Sequence, residues 1–124
     1  GIIWMQGESD AEYSQESADS YLENLKNLMA LLRAALRDEN LPVVIGKIND
    51  SYMTPDGKPT QPFIEIIHSA QKKFTDMDKC ASYVTEIESY EFSDDAWHYD
   101  TDGFIRMGIA FAKAVKKLES ECIQ

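Results

Sequence analysis

The sequence predicts a three-layer α/β fold, a parallel sheet with helices on both faces. Three observations predict it. Short apolar runs alternate with amphipathic stretches in the order strand, helix, strand, helix, strand, helix. Each connection is long enough to be a crossover helix, which parallel neighbours require. The composition, 44 % apolar and 27 % charged over 124 residues, suits one compact domain with a single core.

The elements follow in order. Residues 1–5, Gly-Ile-Ile-Trp-Met, read as a buried strand ended by Gln6-Gly7, and Trp4 is assigned to the core. Glu8 to Ala11 read as a polar loop. A long helix follows, capped by Ser14 or Ser17. Its apolar stripe is Leu22, Leu25, Met29, Leu32 and Leu36, with Lys26, Arg33 and Arg37 on the opposite side. Asp38-Glu39-Asn40 ends it. Pro42 opens a second buried strand, Val43 to Ile48. The loop from Asn49 to Thr60 turns at Pro55-Asp56-Gly57. Thr60 is the expected cap of a second helix, with Pro62 in its first turn and Phe63, Ile66, Ile67, Ala70 and Phe74 inward. His68 falls at the boundary of that stripe. A third strand is expected from Ala81 to Ile87. The last helix starts near Asp102, with Phe104, Met107, Phe111, Val115 and Leu118 inward and Gly108 allowing close approach to the sheet.

Charge and composition exclude several functions. The net charge of −10 and a pI near 4.5 would repel a phosphate backbone or an anionic membrane surface. No apolar run approaches the ~20 residues that span a bilayer. Cys80 and Cys122 form no zinc or disulfide framework and read as free thiols, a disulfide being expected only in a secreted protein. No cofactor is expected. The chain opens directly on a strand-like run without a leader, so the expectation is a piece of a longer polypeptide.

Ligands of parallel sheets bind beyond the carboxyl ends of the strands. Two polar loops follow strands in this way. In the first, Gln6 offers an amide donor, Glu8 a carboxylate, and Gly7 a backbone that a ligand can approach closely. Glu8 would orient a histidine or bind a sugar hydroxyl. In the second, Asp94-Asp95-Ala96-Trp97-His98-Tyr99 holds one of only two histidines. His98 suits a general base that becomes a general acid in acyl transfer. Asp95 stands three residues before it to fix its tautomer, with Asp94 as the alternative. Trp97 and Tyr99 would wall the pocket and stack on a sugar ring, or one of them would join the core. The carboxylates around Asp100-Thr101-Asp102-Gly103 lack the remaining positions of a calcium loop, and Asp102 is more simply a helix cap.

These blocks resemble a known family. Gly1-Ile2-Ile3-Trp4-Met5-Gln6-Gly7-Glu8-Ser9-Asp10-Ala11 is similar to the Trp-x-Gln-Gly-Glu-x-Asp segment of carbohydrate acetylesterases of the sialate O-acetylesterase and acetylxylan esterase type, within the SGNH hydrolases. Asp95 to Gly103 resembles their Asp-x-x-His block, and Gly108 with Ala112 resembles the helix after it. The likeness covers nearly the whole chain. It implies an SGNH, flavodoxin-like sheet, with residues 1–124 as the C-terminal part of one esterase domain. It implies His98 as base, Asp95 as its partner with Glu8 supplying or sharing that role, and Gln6 and Gly7 beside the oxyanion. It implies an acetylated carbohydrate as substrate and an extracellular or periplasmic setting.

Two departures stand out. Ser9 occupies the place where other SGNH enzymes carry the oxyanion-donating Asn. The family's nucleophilic serine sits in a Gly-x-Ser block upstream of everything in this chain, and Ser9, Ser51 and Ser93 read as loop or turn residues. The expected activity is therefore removal of O-acetyl groups by a Ser-His-Asp site whose serine lies outside this sequence. The competing reading is a non-catalytic α/β module that binds carbohydrate or protein.

Overall fold

The computed structural model describes residues 1–95 and 97–122. Ala96, inside the second motif, lies outside the described residues. The elements are β1 (Ile2–Trp4), α1 (Glu8–Tyr13), α2 (Gln15–Leu36), β2 (Val43–Gly46), α3 (Ile64–Met77), β3 (Ala81–Val84), a 3₁₀ turn (Glu86–Ser89) and α4 (Thr101–Cys122). The strands form a parallel three-stranded sheet in the order β1-β2-β3. Ile2, Ile3 and Trp4 pair with Val43, Val44 and Ile45. Val43 to Gly46 pair with Ala81 to Val84.

Right-handed crossovers that step twice in the same direction put both connecting helices on one face. So α2 and α3 pack against Val43 and Ile45, with Leu25, Met29, Ile67 and Phe74 filling the layer. The alternate residue Val44 faces the other way, toward Met107, Phe111 and Leu118 of α4. β2 is buried at all of its positions. Each such aliphatic side chain contributes about 1.5–3 kcal/mol relative to its exposed state.

Several boundaries differ from the sequence reading. β1 is an edge strand, and Ile3 is 52 % exposed. The segment read as a polar loop after Gly7 is the helix α1, whose Ala11 N–H donates to the Gly7 carbonyl at 2.8 Å. β2 ends at Gly46 and β3 at Val84, each short of its predicted end, because the backbone then turns into loop and 3₁₀ geometry. Ser14 caps α2, accepting from the Ser17 N–H at 3.1 Å. The buried stripe of α2 is rotated toward Ala18, Tyr21, Leu25 and Met29, and Leu36 is exposed. Arg33 does not face solvent: it donates to Asp78 at 2.5 and 3.3 Å and to the Leu41 carbonyl at 3.0 Å. Phe63, not Thr60, precedes α3, because Thr60 donates to Asp50 at 2.8 Å. Asp100, not Asp102, caps α4, accepting from the Gly103 N–H at 2.7 Å. Phe104 is half exposed.

The glycine that permits close approach is Gly46, not Gly108. A Cβ on Gly46 would stand 2.5 Å from Met5 Sδ and 2.7 Å from Phe111 Cζ, whereas one on Gly108 meets nothing within 4 Å. Gly46→Ala is expected to destabilise the fold by about 1–3 kcal/mol. Gly108→Ala, in the exposed interior of a helix, should stabilise it by about 0.5–1 kcal/mol. Urea unfolding of both variants checks the opposite signs.

Candidate active site

Because β1 and β3 run parallel, the loops that follow them leave the sheet at the same end. The first loop is held from below by a buried polar network. The Gln6 carbonyl accepts from the Tyr21 hydroxyl at 2.7 Å and from Gln71 Nε2 at 3.2 Å. Tyr83 donates its hydroxyl to Gln71 Oε1 at 3.1 Å. Burial is the main reason that both phenols sit above the usual tyrosine range. Gly7 then turns with φ of +144°, and a Cβ there would lie 2.8 Å from Ile67 Cγ2. Only glycine fits this turn without strain. Glu8 opens α1 directly after it. The Gln6 side-chain amide is engaged by Asp10 at 2.7 Å, and Ser17 donates to the other Asp10 oxygen at 3.1 Å.

The second loop is closed like a small hairpin. Phe92 and Tyr99 bridge antiparallel, Ser93 N–H donates to the His98 carbonyl at 2.7 Å, and Asp100 N–H donates to the Glu91 carbonyl at 3.0 Å. Asp95 lies at its tip. One carboxylate oxygen accepts from Ser93 Oγ at 2.8 Å, from the His98 N–H at 2.9 Å and from the Trp97 N–H at 3.0 Å. The other faces His98 Nδ1 at 2.5 Å. The His98 imidazole is the first cause that holds the Asp95 carboxyl well below the usual carboxylate range, followed by the backbone N–H groups of His98 and Trp97. Nδ1 therefore carries the proton donated to Asp95, and Nε2 is left to accept one. The His98 side chain is 69 % exposed.

The six sequence-predicted residues thus fall into two groups. Gln6, Gly7 and Glu8 form one turn; Asp95, Trp97 and His98 form the other. Of the carboxylates considered, Asp95 is the one bonded to His98. Among the described residues no hydrogen bond joins Glu8 to His98. The Tyr99 phenol is raised above the usual tyrosine range, by burial first and then by the carboxylates of Glu8 and Glu88. Tyr99 belongs to the core, stacked on Phe92 at 4.7 Å, whereas Trp97 is about half exposed beside the dyad. Ser93 Oγ bonds the Asp95 oxygen other than the one that faces Nδ1. Ser51 Oγ accepts from the Met53 N–H at 3.3 Å. His68 Nε2 meets the Ile48 carbonyl at 2.7 Å, and burial lowers its pKa. Among the described residues, no group of three or more His, Cys, Asp or Glu is placed to hold a metal.

Gln71, Tyr21 and Tyr83 were not among the candidates. The signal for Gln71 was a polar residue on the same helical stripe as Ile64, Ile67 and Phe74.

A family model described as carbohydrate esterase, sialic acid-specific acetylesterase, matches residues 1–117. The chain belongs to this family. The crystal structure of an Arabidopsis thaliana protein aligns with 98 % of the chain at a TM-score of 0.75 and 21 % identity, which supports the three-layer fold. The chain spans only 44 % of that structure's length. No curated protein matches it. Like the rest of the fold, the two loops fall within the span that the sialic acid-specific acetylesterase model covers.

The depressed Asp95 pKa gives a signed prediction. Its contribution to holding the loop is complete above the unfolded carboxylate value near ~4 and fades as pH falls through the lower folded-state value. The Asp95 carboxyl carbon should therefore show no protonation step near pH ~4 in an NMR titration. His98→Ala should move that step upward toward the ordinary carboxylate range.

Proposed function

We propose that this chain supplies the base and carboxylate of a Ser-His-Asp site that removes O-acetyl groups from glycans, with the serine on polypeptide upstream of residue 1. The observation that carries the reading is the 2.5 Å His98–Asp95 contact, which leaves Nε2 open. A serine hydroxyl brought to Nε2 would lose its proton to His98 as its oxygen attacks the acetyl carbonyl carbon. His98 would then return the proton to the departing sugar oxygen. Water would repeat the sequence on the acetyl-enzyme. Asp95 stays ionised and holds the imidazolium.

Gln6 and Gly7 are assigned to the neighbourhood of the oxyanion, where a preorganised donor is worth about 3–4 kcal/mol. Glu8 is assigned to a sugar hydroxyl or to a shared carboxylate role, and Trp97 to the face of a sugar ring. Three things support a supply of further residues from outside the chain. No hydroxyl in the described residues bonds Nε2, His98 stands largely in solvent, and the chain covers less than half of the related crystal structure.

Acetyl release from p-nitrophenyl acetate and from O-acetylated sialic acid tests the proposal. The 124-residue chain should work close to background, and a polypeptide extended upstream through a Gly-x-Ser block should turn over. In the extended form His98→Ala should lower kcat by about 10⁴-fold or more, because triad members act as a unit. Full activity in the short chain would overturn the external serine. An extended form that binds the sugar but releases no acetate would favour a non-catalytic module.

A further inference from the structure

Two thiols meet at the end of the sheet opposite the candidate site. Cys80 precedes β3 at its amino end, and Cys122 lies on the last described turn of α4. Both are buried and both are free. Cys122 Sγ donates to the carbonyl of Lys79, the residue before Cys80, at 3.4 Å, which makes the two cysteines neighbours where the end of α4 meets the start of β3. They share one apolar cluster with Val84, Phe111 and Leu118. A bond of about 2.05 Å between them asks for Cα atoms within about 7 Å of each other. The end of a helix is also where backbone adjusts at least cost. A groove of about 400 Å³ borders Cys80 together with Met29, Phe74 and Asp78.

We infer that Cys80 and Cys122 form an intramolecular disulfide that staples the end of α4 to the start of β3. The oxidant is a small-molecule disulfide such as oxidised glutathione. One cysteine thiolate attacks it, releasing one glutathione thiolate and leaving a mixed disulfide. The second cysteine, deprotonated in turn, displaces the other glutathione. The chain loses two protons and two electrons, and one disulfide is reduced to two thiols. Burial, and then the Cys80 thiol beside it, push the Cys122 thiol up to about 11. The exchange is therefore slow at neutral pH and faster in mild base. α4 is the one described helix on its face of the sheet, and its first turn is capped by Asp100, which follows the His98 loop. A staple at its far end holds the element on which that loop rests. This inference does not depend on the esterase reading.

The test is incubation of the folded chain with oxidised glutathione at pH of about 8.5, then denaturation, alkylation and mass spectrometry. The expected product is a monomer about 2 Da lighter with no alkylated thiol, and a proteolytic peptide pair joining Cys80 to Cys122. Its Tm should rise by about 10 °C, reversibly on reduction, because the bridge closes a long loop. Cys122→Ser, a change at the helix end, should fold normally and gain neither the bridge nor the Tm shift. Two alkylated thiols, glutathione adducts alone, disulfide-linked dimers alone, or an oxidised monomer with unchanged or lower Tm would each overturn the inference.

Discussion

Everything in this molecule is built against the pairing of β2 with parallel neighbours on both sides. Its backbone groups are taken up by β1 and β3, and both faces are covered, so it carries no edge and no exposed side chain. The parallel sense has a consequence for the site. The loops after β1 and β3 emerge at the same end but are separated by β2, that is by two strand spacings, about 10 Å. Each loop is held by its own hydrogen bonds, and among the described residues none joins Glu8 to His98.

The first loop depends on an interior that is not wholly apolar. Gln71 is fully buried, yet its amide is engaged at both ends by Gln6, Tyr21 and Tyr83. An unsatisfied buried group of this kind would cost about 1–3 kcal/mol, so the network stands or falls as a unit. It joins α2, α3 and β3 to the carbonyl of Gln6. That carbonyl is the last fixed point before the φ-positive turn at Gly7, and the direction in which Glu8 and α1 leave the sheet follows from it.

The layer order and strand positions were legible in the sequence because apolar periodicity reports burial directly. Val43 to Ile45, Ile67, Phe74, Met107 and Phe111 are buried as their spacing implies. Where the pattern misled, a tertiary partner had overridden it. Arg33 looked like a solvated charge, but Asp78, distant in sequence, draws it inward, with side-chain exposures of 14 % and 19 %. Leu36 fits the helical stripe but lies where α2 ends, at the left-handed Arg37. Gly108 looked like a contact residue and faces open space, while Gly46, inside a strand, carries the close packing. The meeting of Cys80 with Cys122 could not be read from spacing, since it follows from how α4 lies back across β3. At the candidate site the Asp95–His98 spacing was readable because it is local; the Gln71 network was not, because its members come from four different segments.

Locality also explains how a dyad can be so well formed while standing largely in water. An isolated ion pair at such exposure contributes little, since solvent screens it and side-chain entropy opposes it. Asp95, however, does not rely on His98 to be positioned. Ser93 Oγ and the N–H groups of Trp97 and His98 fix one oxygen, which aims the other at Nδ1. The Phe92–Tyr99 bridge and the Tyr99 ring, packed against Tyr90, Phe92 and Phe104, anchor both ends of the segment in the core. The imidazole orientation is thus set by residues 92–99 rather than by a surrounding pocket. Water exclusion is a separate requirement. A charge pair ~4 Å apart gains about 1 kcal/mol in bulk water and about 4 kcal/mol at the effective dielectric of a protein surface. In the proposed esterase, displacement of solvent from His98 by a bound substrate would strengthen the same pair.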